Sequence, residues 1–380
     1  MPERSTVRGL RVLMTADALG GVYSYAINLS RELCRRGADV VLACMGPEPK
    51  PDQRAEAEAV PGLRLEHAPY SLEWMEEPWA DVDRAGQWLL RIQREVRPDL
   101  VHLNGYSHAA LPWGVPTVVV AHSCVLSWWR AAFGSDVPER FAVYRERVTR
   151  GLLHAQAVVA PSASMLQSLR DEYGYYGSGS VIFNGISPSE YYPRPKQPFY
   201  LAAGRLWDRA KNLELIVSAG GLLPWPVRVV GEGFYAPAGS RVQGTGRLTR
   251  AALARLMGEA SVFLHPARYE PFGLAPLEAA LSGAALVLGR LDSLLEIWGQ
   301  AALYVSTEDP SELTHVATRL ADDPAFRHAL TTKAELRARQ LSSAAMAEGY
   351  ADLYWRMMAE ANPPSPSTRP AASTAPSKVS

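Results

Sequence analysis

Two carboxylates eight positions apart, Glu270 and Glu278, lie in the segment Arg268-Tyr269-Glu270-Pro271-Phe272-Gly273-Leu274-Ala275-Pro276-Leu277-Glu278, directly after the apolar run Ser261 to Leu264. Pro276 suits the first position of a helix, which puts Glu278 in its first turn and leaves Glu270 in the preceding loop. The backbone N–H groups of Gly273 and Leu274 then open toward a cleft from a helix N-terminus, a place suited to a phosphate. Taken alone, Glu278 reads equally as a carboxylate favoured by the helix dipole. Near the N-terminus, Gly20-Gly21 follows an apolar run, and the missing side chains would let the backbone approach a phosphate or sugar; a plain tight turn is the other reading. His122 ends the run Thr117 to Ala121 at a strand end facing the cleft, with a hydrogen-bonded core histidine as its alternative.

The elements that would position these residues follow from apolar periodicity. Arg11 to Met14, Asp39 to Cys44, Leu100 to Leu103, Thr117 to Ala121 and Ala157 to Ala160 are short buried runs separated by helical stretches, the first of them Tyr23 to Arg36 closed by Gly37. The Pro-rich stretch Pro188 to Pro198 reads as a linker, after which the rhythm restarts at Phe199 to Ala203, Val227 to Val230, Ser261 to Leu264 and Ala285 to Leu288. Strands alternating with helices predict parallel, doubly wound sheets in two α/β domains. The chain divides into residues 1–190, residues 191–340, a closing helix over 341–360, and a tail over 361–380 whose Pro, Ser, Thr and Ala content predicts disorder.

Composition narrows the function classes. Lys plus Arg and Asp plus Glu number 39 each, so there is no broad basic field for nucleic acid. The three cysteines, Cys34, Cys44 and Cys124, lack metal-ligand spacing and suit a reducing compartment. No stretch approaches the roughly 18 apolar residues of a membrane span, and no export signal is evident. A cytoplasmic protein is expected.

Several segments together carry a more specific likeness. Gly204-Arg205 closes the run Phe199 to Ala203 and is followed by Lys211-Asn212; Gly231-Glu232-Gly233 follows Val227 to Val230; Ala160-Pro161-Ser162 and Val181 to Ile186 precede the linker. With Glu270 and Glu278, and in this order across most of the chain, they resemble glycosyltransferase family 4, a retaining family of GT-B architecture with a Glu-x7-Glu motif. The resemblance implies two Rossmann-like domains facing across a cleft, acceptor side first, with the last helix packing back toward the N-terminal domain. It implies transfer of a hexose from a UDP- or GDP-linked sugar to a hydroxyl of a glycan, a lipid-linked or a small-molecule acceptor. No cofactor and no metal are expected.

Breaking a sugar–phosphate bond leaves a diphosphate gaining negative charge, so positive charge must meet it. The resemblance gives that task to Arg205 and Lys211, which would otherwise read as a surface ion pair or a solvated helix start. It assigns Glu270 to hydroxyls of the donor sugar, Glu278 to the ribose, and His122 to the donor sugar. Gly20, Gly21, Gly204, Gly231, Phe272, Gly273 and Leu274 complete the donor-binding surface. His102 and His265 rank lower, His265 because small polar residues commonly stand there in the family. The single Asp-x-Asp triplet, Asp81-Val82-Asp83, lies in a helical stretch and reads as chance, since a hard cation needs several convergent oxygens.

On the acceptor side, Ser127-Trp128-Trp129-Arg130 and the arginines 140, 145, 147 and 150 could stack on a sugar or touch an anionic membrane surface, or simply pack beside a solvated face. The family's Gly-Gly-x-Pro-Glu turn is replaced by Arg290 to Glu296, which keeps only the glutamate. A nucleotide-sugar 2-epimerase of the same fold would need an acid–base pair that is not evident, and a non-catalytic sugar-nucleotide-binding subunit would fit only if Arg205, Lys211, Glu270 or Glu278 were missing. A nicotinamide dehydrogenase is disfavoured by the lack of a three-glycine fingerprint in the first turn.

Overall fold

The computed structural model describes residues 7–234 and 240–361. The first half runs β1 (Arg11–Asp17), α1 (Gly21–Arg35), β2 (Asp39–Met45), α2 (Pro51–Glu58), β3 (Leu63–Ala68), α3 (Trp79–Val96), β4 (Leu100–Leu103), β5 (Thr117–Val120), α4 (Val125–Phe133), α5 (Ala142–His154), β6 (Ala157–Ala160), α6 (Ala163–Tyr173) and β7 (Gly179–Val181). The second runs β8 (Gln197–Ala203), α7 (Leu213–Gly220), β9 (Val227–Val230), β10 (Val242–Gly246), α8 (Arg250–Glu259), β11 (Ala260–His265), α9 (Leu274–Leu281), β12 (Ala285–Gly289), α10 (Asp292–Trp298), β13 (Leu303–Val305), α11 (Pro310–Asp322), α12 (Pro324–Gln340) and α13 (Ser343–Ala361).

Both sheets are wholly parallel, with strand orders β3-β2-β1-β4-β5-β6-β7 and β10-β9-β8-β11-β12-β13. In each, the chain reverses its direction of travel once, between β1 and β4 and between β8 and β11. Crevices outside the carboxyl ends of strands at such reversals are where open α/β sheets take ligands. Gly20 follows β1, Arg205 follows β8 and Glu270 follows β11, so the topology alone puts these residues at the two reversals.

The strands form because their residues are apolar on both faces. Leu13 and Met14 of β1 enter opposite cores, as do Val262 and Phe263 of β11. Helix starts are set locally: Ser162, Thr249, Asp309 and Asp323 accept backbone N–H bonds at the N-termini of α6, α8, α11 and α12. β3, β7 and β10 carry polar residues, β3 half-buried and the other two largely exposed, so they do not read as apolar runs.

α13 leaves the second half and packs on α1 of the first. Tyr350, Tyr354, Met346 and Met357 join the core around Met14 and Ile27, and burial of each such large side chain contributes roughly 1.5–3 kcal/mol. Arg36 also donates to the Ala344 carbonyl at 2.9 Å. Ala361 is the last residue of α13, and the rest of the tail, 362–380, lies outside the described residues.

Candidate active site

β11 ends at His265, and the loop that follows turns Glu270 back onto it. Glu270 Oε2 accepts from Lys211 Nζ at 2.7 Å and from His265 Nε2 at 3.0 Å. The Ser293 hydroxyl donates to the Glu270 carbonyl at 2.6 Å and fixes the backbone. The side chains of Lys211 and Glu270 are only 19% and 14% exposed, so this is a partly dehydrated ion pair. Burial alone would raise the Glu270 pKa, but the Lys211 charge and the His265 hydrogen bond outweigh it and hold the carboxyl well below its usual range. Glu270 is therefore ionised at neutral pH.

Gly273 caps α9 with φ +91°, a left-handed conformation that a side chain would strain, and a Cβ there would lie 3.1 Å from Pro276. α9 begins at Leu274, which makes Pro276 its third residue and Glu278 its fifth. This corrects the expectation of Pro276 at the first position and Glu278 in the first turn. The glycine, in αL, supplies the sharp entry that a proline start would have supplied. Leu274 and Ala275 then carry the first-turn N–H groups that lack intrahelical partners. Glu278, one turn in, accepts from Tyr191 Oη at 2.9 Å, and burial raises its pKa against the lowering effects of Tyr191 and Arg250.

Arg205 stands at the tip of β8, where Nη2 donates to Asp208 at 3.2 Å. Its Nη1 would meet a Cβ on Gly20 at 3.7 Å, and a Cβ on Gly21 would lie 3.3 Å from Leu274 Cδ1. Gly20 has φ −173°, open to any residue, and a Cβ there would meet Arg205 at ordinary contact distance, so the tight clearance across the groove falls at Gly21. Arg205 therefore points into the groove. Gly204 and Gly231 end β8 and β9 side by side: a Cβ on Gly231 would sit 2.2 Å from the Gly204 carbonyl oxygen, which no other residue type allows. Phe272 is buried in the core beneath α9.

Each of the two cations already has a carboxylate partner, Asp208 for Arg205 and Glu270 for Lys211. Asp208 also accepts from Trp128 Nε1 at 2.9 Å across the groove. Tyr269 Oη accepts from Ser127 Oγ and from the Cys124 N–H, both at 3.0 Å. Glu296 accepts from the Ala163 N–H at 2.8 Å, at the N-terminus of α6. The aromatic segment of α4 and the glutamate kept from the altered turn thus bridge the two halves. Arg130 is paired with Glu172 and Asp136, and Arg140 lies over the Trp129 ring. Asp81 and Asp83 go to different partners, Ser71 with Arg84 and Arg147. Among the described residues no group of three or more His, Cys, Asp or Glu side chains could hold a metal ion.

On the N-terminal side, His122 Nε2 lies 2.8 Å from Asn104 Oδ1, and its ring meets Tyr25 edge-on at 4.3 Å. His102 Nε2 approaches the same oxygen at 3.2 Å while its Nδ1 lies 2.6 Å from Tyr354 Oη. Asn104 Oδ1 can only accept, so both histidines carry their proton on Nε2. His122 Nδ1 remains as the ring atom able to accept from a ligand. Burial pushes both pKa values down to about 3, aided for His102 by His122, so both rings are neutral.

His265 ranks low in the sequence, and Asp208, Asn104 and Tyr191 carry no signal there. Only the position of His265 at a strand end, directly before Pro266, signalled it.

Two parallel α/β halves meet at a groove with the Arg205–Asp208 and Lys211–Glu270 pairs on one side and the Gly20-Gly21 turn on the other, the architecture of a two-lobed enzyme. Residues 19–190 match the model of Glycosyltransferase Family 4 and residues 197–323 that of Glycosyl transferases group 1, and the chain belongs to family 4 of the glycosyltransferases, with their GT-B fold. It is 25% identical to the glycogen synthase of Mycobacterium tuberculosis over 83% of this chain and 87% of that one. It is 26% identical to the D-inositol 3-phosphate glycosyltransferase of Frankia alni over 88% and 94%. Among solved structures, sucrose-phosphate synthase of Thermosynechococcus elongatus superposes with a TM-score of 0.79 at 21% identity, over 92% and 100% of the chains. Anabaena HepE, in complex with UDP and glucose, gives 0.73 at 16%, over 90% and 99%.

Proposed function

We propose that this glycosyltransferase moves a hexose from a UDP- or GDP-linked sugar to an acceptor hydroxyl with retention at the anomeric carbon and without a metal ion. The observation that carries the reading is the convergence of Arg205, Lys211, Glu270 and the N-terminus of α9 at one sheet reversal, opposite Gly20 and Gly21. The diphosphate lies between the two cations and the free N–H groups of α9. Glu270 accepts from a hydroxyl of the sugar, Glu278 from the ribose, and His122 Nδ1 from a further sugar hydroxyl.

As the bond from the anomeric carbon to the phosphate oxygen breaks, the acceptor oxygen bonds to that carbon on the same face. The acceptor proton passes to the departing phosphate oxygen. Neither glutamate acts as a nucleophile. The preorganised cations and helix N–H groups stabilise charge that grows only in the transition state. The UDP and glucose held by HepE support the donor class, and the glycogen synthase and inositol phosphate relatives support glycan or small-molecule acceptors. The free thiols Cys34, Cys44 and Cys124 suit the cytoplasm. No helix among the described residues is long and apolar enough to cross a membrane, and membrane contact would be peripheral, on the inner face.

A thermal-shift screen against UDP-, GDP- and ADP-sugars tests the donor class, since a ligand at 100 times its Kd adds about 2.7 kcal/mol to stability. One donor series is expected to raise Tm and to release nucleoside diphosphate at a rate unaffected by EDTA. Absence of any shift overturns the donor assignment, and EDTA inhibition reversed by magnesium or manganese overturns the metal-free chemistry.

A further inference from the structure

Among the described residues, one buried polar side chain outside the proposed donor contacts bonds the carboxylate of Glu270. His265 closes β11, is 4% exposed, and aims Nε2 at Glu270. Its ring stacks on Phe263 two residues earlier in the same strand, with centroids 6.2 Å apart and planes 17° apart. The carbonyl of the next residue, Pro266, accepts from Asn212 Nδ2 at 2.9 Å. The ring is thus held by its strand, by a neighbouring aromatic face and by an anchored backbone before it meets the carboxylate.

A carboxylate with one partner can still turn about its last torsion. Here Lys211 and His265 both bond Oε2, one from the turn after β8 and the other from the end of β11, which fixes the plane of the group and leaves Oε1 without a hydrogen bond among the described residues. We propose that His265 is a positioning residue which, together with Lys211, locks the Glu270 carboxylate so that Oε1 alone is presented to the sugar hydroxyl of the donor. The inference rests on the glycosyltransferase reading of the site and adds to it the atom that reads the sugar and the residue that sets it. The chemistry explains why an imidazole serves here. Burial lowers the His265 pKa, so at neutral pH the ring supplies one N–H and no second positive charge. Glu270 therefore keeps a single counter-ion, Lys211, and its remaining oxygen stays a strong acceptor. A lysine or arginine at position 265 would satisfy the same oxygen but overcompensate its charge.

The role predicts a separation between sugar and nucleotide. A nucleoside diphosphate lacks the hydroxyl that Oε1 reads, so its binding is independent of His265. Binding of UDP, GDP and ADP and hydrolysis of UDP-glucose, GDP-mannose and ADP-glucose, measured as nucleoside diphosphate release with water as acceptor, are compared in wild type, His265→Ala, His265→Gln, Glu270→Gln and the double variant His265→Ala/Glu270→Gln. In His265→Ala, nucleoside diphosphate affinity is expected to stay within about twofold while kcat/KM for the sugar donor falls on the order of 100-fold, the scale of a misplaced reacting geometry. His265→Gln, which retains an N–H donor, is expected to recover much of that loss. In the Glu270→Gln background, His265→Ala is expected to add little, because its effect passes through Glu270.

Equal losses of nucleoside diphosphate and sugar-nucleotide binding in His265→Ala, or a full further loss in the Glu270→Gln background, overturn the positioning role while leaving the enzyme class standing. Should His265→Ala fail to fold, His265→Gln against wild type decides: a donor loss as deep as that of Glu270→Gln overturns it. A wild-type protein that neither binds nor hydrolyses any of these donors removes the donor reading and this inference together.

Discussion

On the C-terminal side of the groove, Lys211, Glu270, Arg205 and Asp208 carry formal charges and hold one another in pairs. On the N-terminal side, His122, His102, Asn104 and Tyr25 form a neutral hydrogen-bonded and ring-packed cluster tied through Tyr354 to the last helix. Both sit at the reversal of a parallel sheet, so topology does not explain the difference. In the proposed reading the two sides meet different parts of the donor: the fixed charges and helix N–H groups would face a diphosphate whose charge grows as its bond breaks, and the neutral cluster would offer shape and acceptors to an uncharged sugar. Buried neutral histidines would suit the second purpose, because they would add no charge beside an oxocarbenium-like centre. The last helix couples the two, since α13 grows from the C-terminal half and its Tyr354 fixes His102 in the N-terminal one.

The largest effects are expected on the charged side. Glu270→Ala should lower turnover on the order of 1000-fold, the scale of losing a group that acts on transition-state charge, checked by single-donor kinetics. From sequence, such a change would be expected to leave stability nearly untouched. The burial of the pair alters that: Lys211→Ala strands the Glu270 carboxylate with His265 as its single hydrogen-bonding side-chain partner among the described residues and should cost about 3 kcal/mol, read by urea unfolding. Glu270→Ala/Lys211→Ala should then be more stable than Lys211→Ala alone.

The neutral side should break more gradually. Because His102 and His122 are held at about 3 in the folded protein, against about 6.5 unfolded, the unfolded chain binds more protons in between. The contribution of these two rings should be flat above pH 6.5 and should be lost as pH drops toward 3, and His102→Gln should shallow that slope by the share of one histidine. A pH-independent stability across this window would remove the neutral-histidine description. The smallest effect belongs to the exposed ion pairs between lobes, Lys50–Glu232 and Arg247–Asp52, both 3.6 Å long. Lys50→Ala should change stability by less than about 1 kcal/mol, and less still at high salt.

The asymmetry also explains what sequence could show. Strands such as β1, β11 and β12 announce themselves because both faces are buried, while β3, β7 and β10 at or near sheet edges read as loops. Arg205, Lys211 and Glu270 stand out because charged residues at strand ends beside glycines are chemically conspicuous. Asn104, Asp208 and Tyr191 are ordinary residues whose importance arises only in space: Asn104 joins two histidines, Asp208 meets Trp128 from the other half, and Tyr191 reaches Glu278 along 87 positions of chain. Pairwise distances of that kind leave no periodic trace. Pro276 points to a helix start two residues later than the true entry of α9 for a related reason, since a glycine in αL and a proline start look alike until the backbone is seen.

Calorimetric titration of UDP and GDP into wild type, Arg205→Ala and Lys211→Ala tests the central claim most directly, namely that the diphosphate is held by these two cations at the mouth of α9. Binding to wild type with at least a tenfold loss in each variant, about 1.4 kcal/mol apiece, is the expected result. Undiminished affinity in both variants would contradict it.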